Sequence, residues 1–167
     1  YEDAGATATD NVDTTVSVTI TSTVDTETPG TYTVIYNASD NEGNSATPVT
    51  RTVVVADTIS PIITLLGDAS MTIGAGDDFT DPGSSANDSF DGELTPDVTG
   101  SVNTSTPGIY TLSYNVSDSA GNAATEVTRT VNVVDQVGPV ITLNGPANVQ
   151  HEAGIPYKDP GATATDN

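Results

Sequence analysis

The chain has 167 residues, of which 23 are acidic and 3 basic, for a formal net charge of −20, and it contains no Cys, no Trp and one His. The missing Cys excludes a disulfide framework, a thiolate zinc site and a thiol nucleophile. The charge sets the chain against nucleic acid and anionic membrane as direct partners, and no apolar stretch approaches the ~20 residues that span a bilayer, so no membrane insertion is expected.

Shifting the sequence by 78 places lays it on itself without a gap. Residues 1–11 match 79–89 and 157–167, 28–44 match 106–122, 48–57 match 126–135, and 60–67 match 138–145. Self-similarity at a fixed period marks a repeat architecture. The expected division is a repeat lacking its first strands over 1–57, a complete repeat over 58–135 and the first strands of a third over 136–167. A window cut from a longer tandem array would read this way.

Taken in chain order, Val16, Val18, Ile20 and Val24 keep one face apolar, and Tyr32, Val34, Tyr36 and Ala38 alternate with polar neighbours. A strand near 61–66 opens the complete repeat and the chain returns along roughly 79–87. Leu94, Val98 and Val102 share one phase, and Tyr110, Leu112, Tyr114 and Val116 carry a strand over 109–117. Period-2 alternation with one apolar face predicts antiparallel sheets packed on one side. Turns fall between these runs at Thr-Pro-Gly (28–30, 106–108), Gly-Asn (43–44, 121–122) and Asp-Pro-Gly (81–83, 159–161). About six or seven short strands per period predict an all-β chain of tandem immunoglobulin-like β-sandwich repeats.

Four spaced motifs carry a family resemblance. They are Asp135-Gln-Val-Gly-Pro139-Val-Ile-Thr-Leu-Asn-Gly145, Tyr157-Lys-Asp-Pro-Gly-Ala-Thr-Ala-Thr-Asp166, Gly108-Ile-Tyr110 through Gly121-Asn122, and Thr128-Arg129-Thr-Val-Asn-Val-Val-Asp135. The chain resembles the bacterial immunoglobulin-like surface repeats, relatives of hyalin-repeat and cadherin-like modules. The resemblance covers essentially the whole chain. It implies a secreted or cell-surface array acting as stalk, spacer or adhesive module.

Sandwich topology directs the acidic residues. In the complete repeat, the loop holding Asp88 and Asp91, the hairpin turn Asp118 to Asn122 and the linker residue Asp57 are expected at one pole. The same phases recur as Asp10, Asp13, Asp40 and Asn44 in the preceding repeat, and as Asp135 and Asp166 in the following one. Carboxylates that close repel unless a proton or cation neutralises them. An oxygen-only set suits Ca²⁺ rather than Zn²⁺, so each junction is expected to bind Ca²⁺ and stiffen the linker; the plain alternative is that these Asp residues only cap turns.

Arg51 and Arg129, one per repeat, share the parity of the apolar residues beside them, and Asp3 and Asp81 are their expected partners in structural ion pairs. Tyr32, Tyr36, Tyr110 and Tyr114 are expected in the core, and the unrepeated His151 at the surface or an edge. No assembled catalytic set is present, so no enzyme is expected. The expected role is an extracellular Ca²⁺-stiffened stalk, spacer or fibre. The alternative is an adhesive module binding a host or glycan ligand through loops such as 103–107, against which stand the missing Trp and the few aromatics available to stack on sugar rings. Expected partners are neighbouring repeats of the same chain and other copies joined in a fibre by strand complementation.

Overall fold

The computed structural model describes residues 1–166. Twelve strands run in the order β1 (Val18–Ser22), β2 (Gly30–Ala38), β3 (Val49–Val55), β4 (Ile62–Leu65), β5 (Ser70–Gly74), β6 (Ser84–Asp88), β7 (Gly92–Leu94), β8 (Asp97–Thr99), β9 (Gly108–Asn115), β10 (Val127–Val134), β11 (Val140–Leu143) and β12 (Ala162–Thr165). No helix occurs among the described residues, so the chain is all-β.

The chain divides into two compact units. One is Tyr1–Ile62 with Ala86–Leu94 and Val116–Ala124, and the other is Ile63–Ser85 with Thr95–Asn115 and Thr125–Asn167. The first contains the sheet β1–β2–β3; the second contains the sheet β5–β10–β9–β8 and the pair β11–β12. A further three-stranded sheet has the order β4–β6–β7.

The 78-residue period survives as strand register. Gly30 pairs with Val55 and Tyr36 with Val49, while Gly108 pairs with Val133 and Tyr114 with Val127. Likewise Thr19 pairs with Asn37 and Asp97 with Asn115. Alternation decides what is buried. On β9, Leu112 and Tyr114 are buried while Ile109, Thr111 and Asn115 face out; on β10, Arg129, Val131 and Val133 are buried. Val34 and Tyr36 hold the same positions in the first unit.

Three sequence expectations need correction. The run Leu94, Val98 and Val102 is not one strand: β7 ends at Leu94, β8 starts at Asp97 in a different sheet, and Val102 lies outside both. Pro96 sits at the switch and has no N–H for a ladder. Gly100 then lies at φ +96°, where a Cβ would meet the Thr111 carbonyl oxygen at 2.3 Å, and the chain leaves the sheet. The returning strand over 79–87 begins only at Ser84, because Pro82 and Gly83, at φ +83°, turn the chain first. Tyr32 and Tyr110 are half-buried rather than core; their hydroxyls donate to the Thr28 and Thr106 carbonyls at 2.7 and 2.8 Å. A strand not singled out from the sequence, β5, pairs parallel to β10.

Arg129 is fully buried. Its guanidinium donates to Asp81 and the Leu66 carbonyl, to the Asp68 and Gly83 carbonyls at 3.0 and 3.2 Å, and to the Tyr114 hydroxyl at 3.0 Å. The Tyr114 hydroxyl in turn donates to Asp81 at 2.8 Å. Burial works against the charged form of Asp81, but the Tyr114 hydroxyl, the Gly83 amide and Arg129 outweigh it and hold its carboxyl below the ordinary value. A buried charge is tolerated only when it is paired and hydrogen-bonded in this way. Arg51 makes the corresponding bonds to Asp3 at 2.7 Å and the Gly5 carbonyl at 3.3 Å.

Candidate metal centre

Two turns, 88–92 and 118–122, meet the segment between β3 and β4. Gly121, at φ +93°, closes a turn in which the Gly121 amide donates to the Asp118 carbonyl at 3.2 Å. The Asp118 amide donates across it to the Asn122 carbonyl, also at 3.2 Å. Such a φ favours glycine because it lacks a Cβ. The Asp118 carboxylate therefore faces Asn122, accepting from its amide at 2.7 Å and from its side-chain Nδ2 at 2.7 Å. Between β6 and β7, Asp88 Oδ1 accepts from the Phe90 and Asp91 amides at 2.7 and 3.0 Å. In the segment between β3 and β4, Asp57 Oδ1 accepts from the Ile59 amide at 3.1 Å.

The turn-capping role is thus real, and it uses one oxygen of Asp57 and one of Asp88. The other oxygens remain. Oδ2 of Asp57 and Oδ2 of Asp88 are buried with no hydrogen-bond partner. Asp57, Asp88 and Asp118 each bring a carboxylate oxygen within 4.8 Å of the other two. Asp88 and Asp118 are only 3% and 8% exposed. The Phe90 and Asp91 amides, with a smaller contribution from Ser89, hold the Asp88 carboxyl below its ordinary value despite burial. Ionised carboxylates this close and this dry repel one another and lack water to compensate.

Asn122 serves the site by position rather than charge. Its Nδ2 also donates to the Asp57 carbonyl at 3.2 Å and the Ile59 carbonyl at 3.4 Å, clamping the β3–β4 segment to the 118–122 turn. Asp91 lies outside the group of three. Its two oxygens accept from the Ser119 amide at 2.6 Å and the Ser119 hydroxyl at 2.9 Å, so it clasps the two loops together. Ser119 was not singled out from the sequence; its signal is a small polar residue one place after Asp118, matched by Asn41 after Asp40.

In the preceding repeat the same turns recur. Asp10 caps Val12 and Asp13, Asp13 accepts from Asn41 at 2.9 and 2.6 Å, and Asp40 accepts twice from Asn44 at 2.6 Å. Asp10, Asp40 and Asn44 line one open cleft. Asp135 caps the Val137 amide at 2.9 Å, as Asp57 caps Ile59. Neither the set Asp10, Asp13 and Asp40 nor the pair Asp135 and Asp166 belongs to a three-carboxylate group among the described residues. His151 is exposed, with its Nε2 3.1 Å from the Ile155 carbonyl and its ring edge-on to Tyr157.

Tandem strands in matching register, with the same turns every 78 residues, define a protein built of immunoglobulin-like repeats. The chain belongs to the family of bacterial surface protein Ig-like domains, whose model matches residues 1–55 and 63–133. No curated relative matches it. Among solved structures it is similar to a lipoprotein of Bacteroides thetaiotaomicron, at 32% identity and a TM-score of 0.42, over 47% of this chain and 39% of that one. It is also similar to the M60 catalytic domain with two CBM51 domains of Clostridium perfringens ZmpB, at 13% identity and a TM-score of 0.37, over 78% of this chain and 30% of that one. The chain spans less than half of either structure.

Proposed function

We propose that the chain is a non-catalytic structural module of an extracellular or cell-surface protein, a stalk, spacer or fibre element stiffened by Ca²⁺ bound among Asp57, Asp88 and Asp118. The observation that carries this reading is the pair of buried, unpartnered Oδ2 atoms on Asp57 and Asp88 beside the Asp118 carboxylate. All the donors are oxygens, which hard cations prefer, and Ca²⁺ accepts irregular sets of carboxylate and carbonyl ligands. With the ion bound, Asp57 in the segment joining the repeats is tied to two loops of the following repeat. That contact removes hinge freedom from the segment, which is what an extended spacer requires.

Thermal melting in EDTA and then in millimolar Ca²⁺ tests the reading. A ligand that binds only the folded state at a concentration 100 times its Kd adds about 2.7 kcal/mol, an upward shift of roughly 10 °C or more for a domain this small. The shift disappears in Asp88→Asn. Equal melting in EDTA and Ca²⁺ would leave the carboxylates as turn caps alone.

A further inference from the structure

The oxygens that face the ion site are closed off from solvent. Oδ2 of Asp57 and Oδ2 of Asp88 are buried, and little of Asp88 or Asp118 is exposed. A hydrated cation therefore cannot reach them while the surrounding segments stay in place. One of the three segments that carry the carboxylates must move for an ion to enter or leave. The bonds on each segment decide which one moves.

The loop 88–92 is held at both ends by the pairing of β6 with β7, Ala86 opposite Leu94 and Asp88 opposite Gly92. The turn 118–122 is closed by the bridge from Ser117 to Ala123 and by the bonds between Asp118 and Asn122. Asp91 clasps these two loops through the Ser119 amide and hydroxyl at 2.6 and 2.9 Å. Residues 57–60 are held differently. They lie in no strand, and Thr58, Ile59 and Ser60 are exposed. Among the described residues, the hydrogen bonds that tie them to the loops come from one group, Nδ2 of Asn122. It donates to the Asp57 and Ile59 carbonyls at 3.2 and 3.4 Å, and also to Asp118 Oδ2 at 2.7 Å. An amide nitrogen carries two hydrogens, so three acceptors share two donors. Residues 57–60 are the most weakly held wall of the site.

Resting on the Ca²⁺ reading above, we infer that residues 57–60 are the gate of the ion site and Asn122 is its latch. The ion passes when the Nδ2 bonds to the Asp57 and Ile59 carbonyls break and Asp57 lifts away with its segment. The latch bonds end on main-chain carbonyls, not on the carboxylate oxygens that receive the ion, so they act on the empty and the loaded site alike. An interaction that favours two states equally shifts no equilibrium between them. The latch therefore slows entry and exit by one common factor and leaves their ratio, the Kd, unchanged. Asn122 is a positioning residue that sets the rate of exchange, whereas Asp88 is a ligand that sets the affinity.

Stopped-flow mixing of the Ca²⁺-loaded chain with a fluorescent chelator measures exit, and equilibrium titration against the same chelator measures the Kd. In Asn122→Ala, Asp118 keeps the main-chain amide of residue 122 that it accepts from at 2.7 Å, so its carboxylate stays aimed. Exit is expected to quicken on the order of tenfold for the lost latch bonds, with the Kd moving less than about threefold. Ser119→Ala loosens the clasp but not the latch, and it is expected to release the ion at the rate of the unmodified chain. An unchanged exit rate in Asn122→Ala, a rise matched by an equal loss of affinity, or the same rise in Ser119→Ala would overturn the inference. Hydrogen exchange in EDTA reads the gate without the ion. The Ile59 amide, which bonds Asp57 Oδ1, is expected to exchange faster in Asn122→Ala, and unchanged exchange would also overturn it. A chain that binds no Ca²⁺ would overturn the reading above and this inference with it, whereas binding with an unchanged exit rate overturns this inference alone.

Discussion

Replacing Arg129 by Met removes the partner of Asp81 while keeping most of the side chain's volume. It leaves the carbonyls of Leu66, Asp68 and Gly83 without the guanidinium that bonds them, and the Tyr114 hydroxyl with only Asp81. Breaking a buried ion pair from one side costs about 3–5 kcal/mol, and a carbonyl left without a donor adds about 1–3 kcal/mol. For a domain with a total stability of about 5–15 kcal/mol, Arg129→Met is expected to lower the melting temperature by on the order of 20 °C or to unfold its repeat. Asp81→Leu added to Arg129→Met restores only the part due to the unpaired carboxylate, because the Leu66 and Asp68 carbonyls still lack the guanidinium, while the Gly83 carbonyl keeps the Leu66 amide. Arg51→Met serves as the internal control at the same phase of the period. Its side chain is 38% exposed, where solvent screens its bonds to Asp3 and the Gly5 carbonyl, so the loss is expected to be far smaller. Urea denaturation followed by circular dichroism and tyrosine fluorescence measures all three. Equal losses for Arg129→Met and Arg51→Met would refute the reasoning, since burial is what separates them.

Acid and alkali act on the same clusters. Hydrogen bonds from Tyr1 and Tyr36, with the Gly5 amide and Arg51, lower Asp3 from 3.8 to about 2. Its contribution to stability is therefore complete above about pH 4 and is lost as pH falls toward about 2; Asp3→Asn is expected to flatten that part of an acid-unfolding curve. Burial and the bond to Asp81 raise Tyr114 to about 12, and burial with Asp3 raises Tyr36 to about 12. Absorbance titration should show Tyr114 and Tyr36 ionising late, with stability falling between about pH 10 and 12 as the unfolded chain loses protons first. Gly121→Ala meets no atom within 4 Å, so only its φ of +93° opposes it. A loss of about 1–2 kcal/mol is expected by melting, with weaker Ca²⁺ binding because the turn aims Asp118.

The strands were legible because alternation reports burial directly: Tyr114, Val131 and Val133 are buried where the pattern places them. Sheet membership was less so. Period 2 runs through Leu94 and Val98 alike, and only Pro96 and the crowding behind Gly100 reveal that the chain changes sheet between them. Strand β5 escaped because a five-residue strand bounded by loops carries little periodicity of its own. The convergence of Asp57, Asp88 and Asp118 follows from connectivity, since no local motif joins residues 31 and 30 places apart. What connectivity does not specify is which oxygen points where. Asp91 shares the loop with Asp88, yet a serine on the facing turn takes both its oxygens. That distinction depends on side-chain geometry within one turn, below the resolution of pattern.

Calcium titration of the whole chain by calorimetry, beside Asp88→Asn and Asp91→Asn, is the most direct test of the ion among the three carboxylates. Binding is expected in the unmodified chain, lost in Asp88→Asn and largely retained in Asp91→Asn, whose carboxylate is already taken by Ser119. Absence of binding heat in the unmodified chain, or the same weak binding in all three proteins, would contradict it.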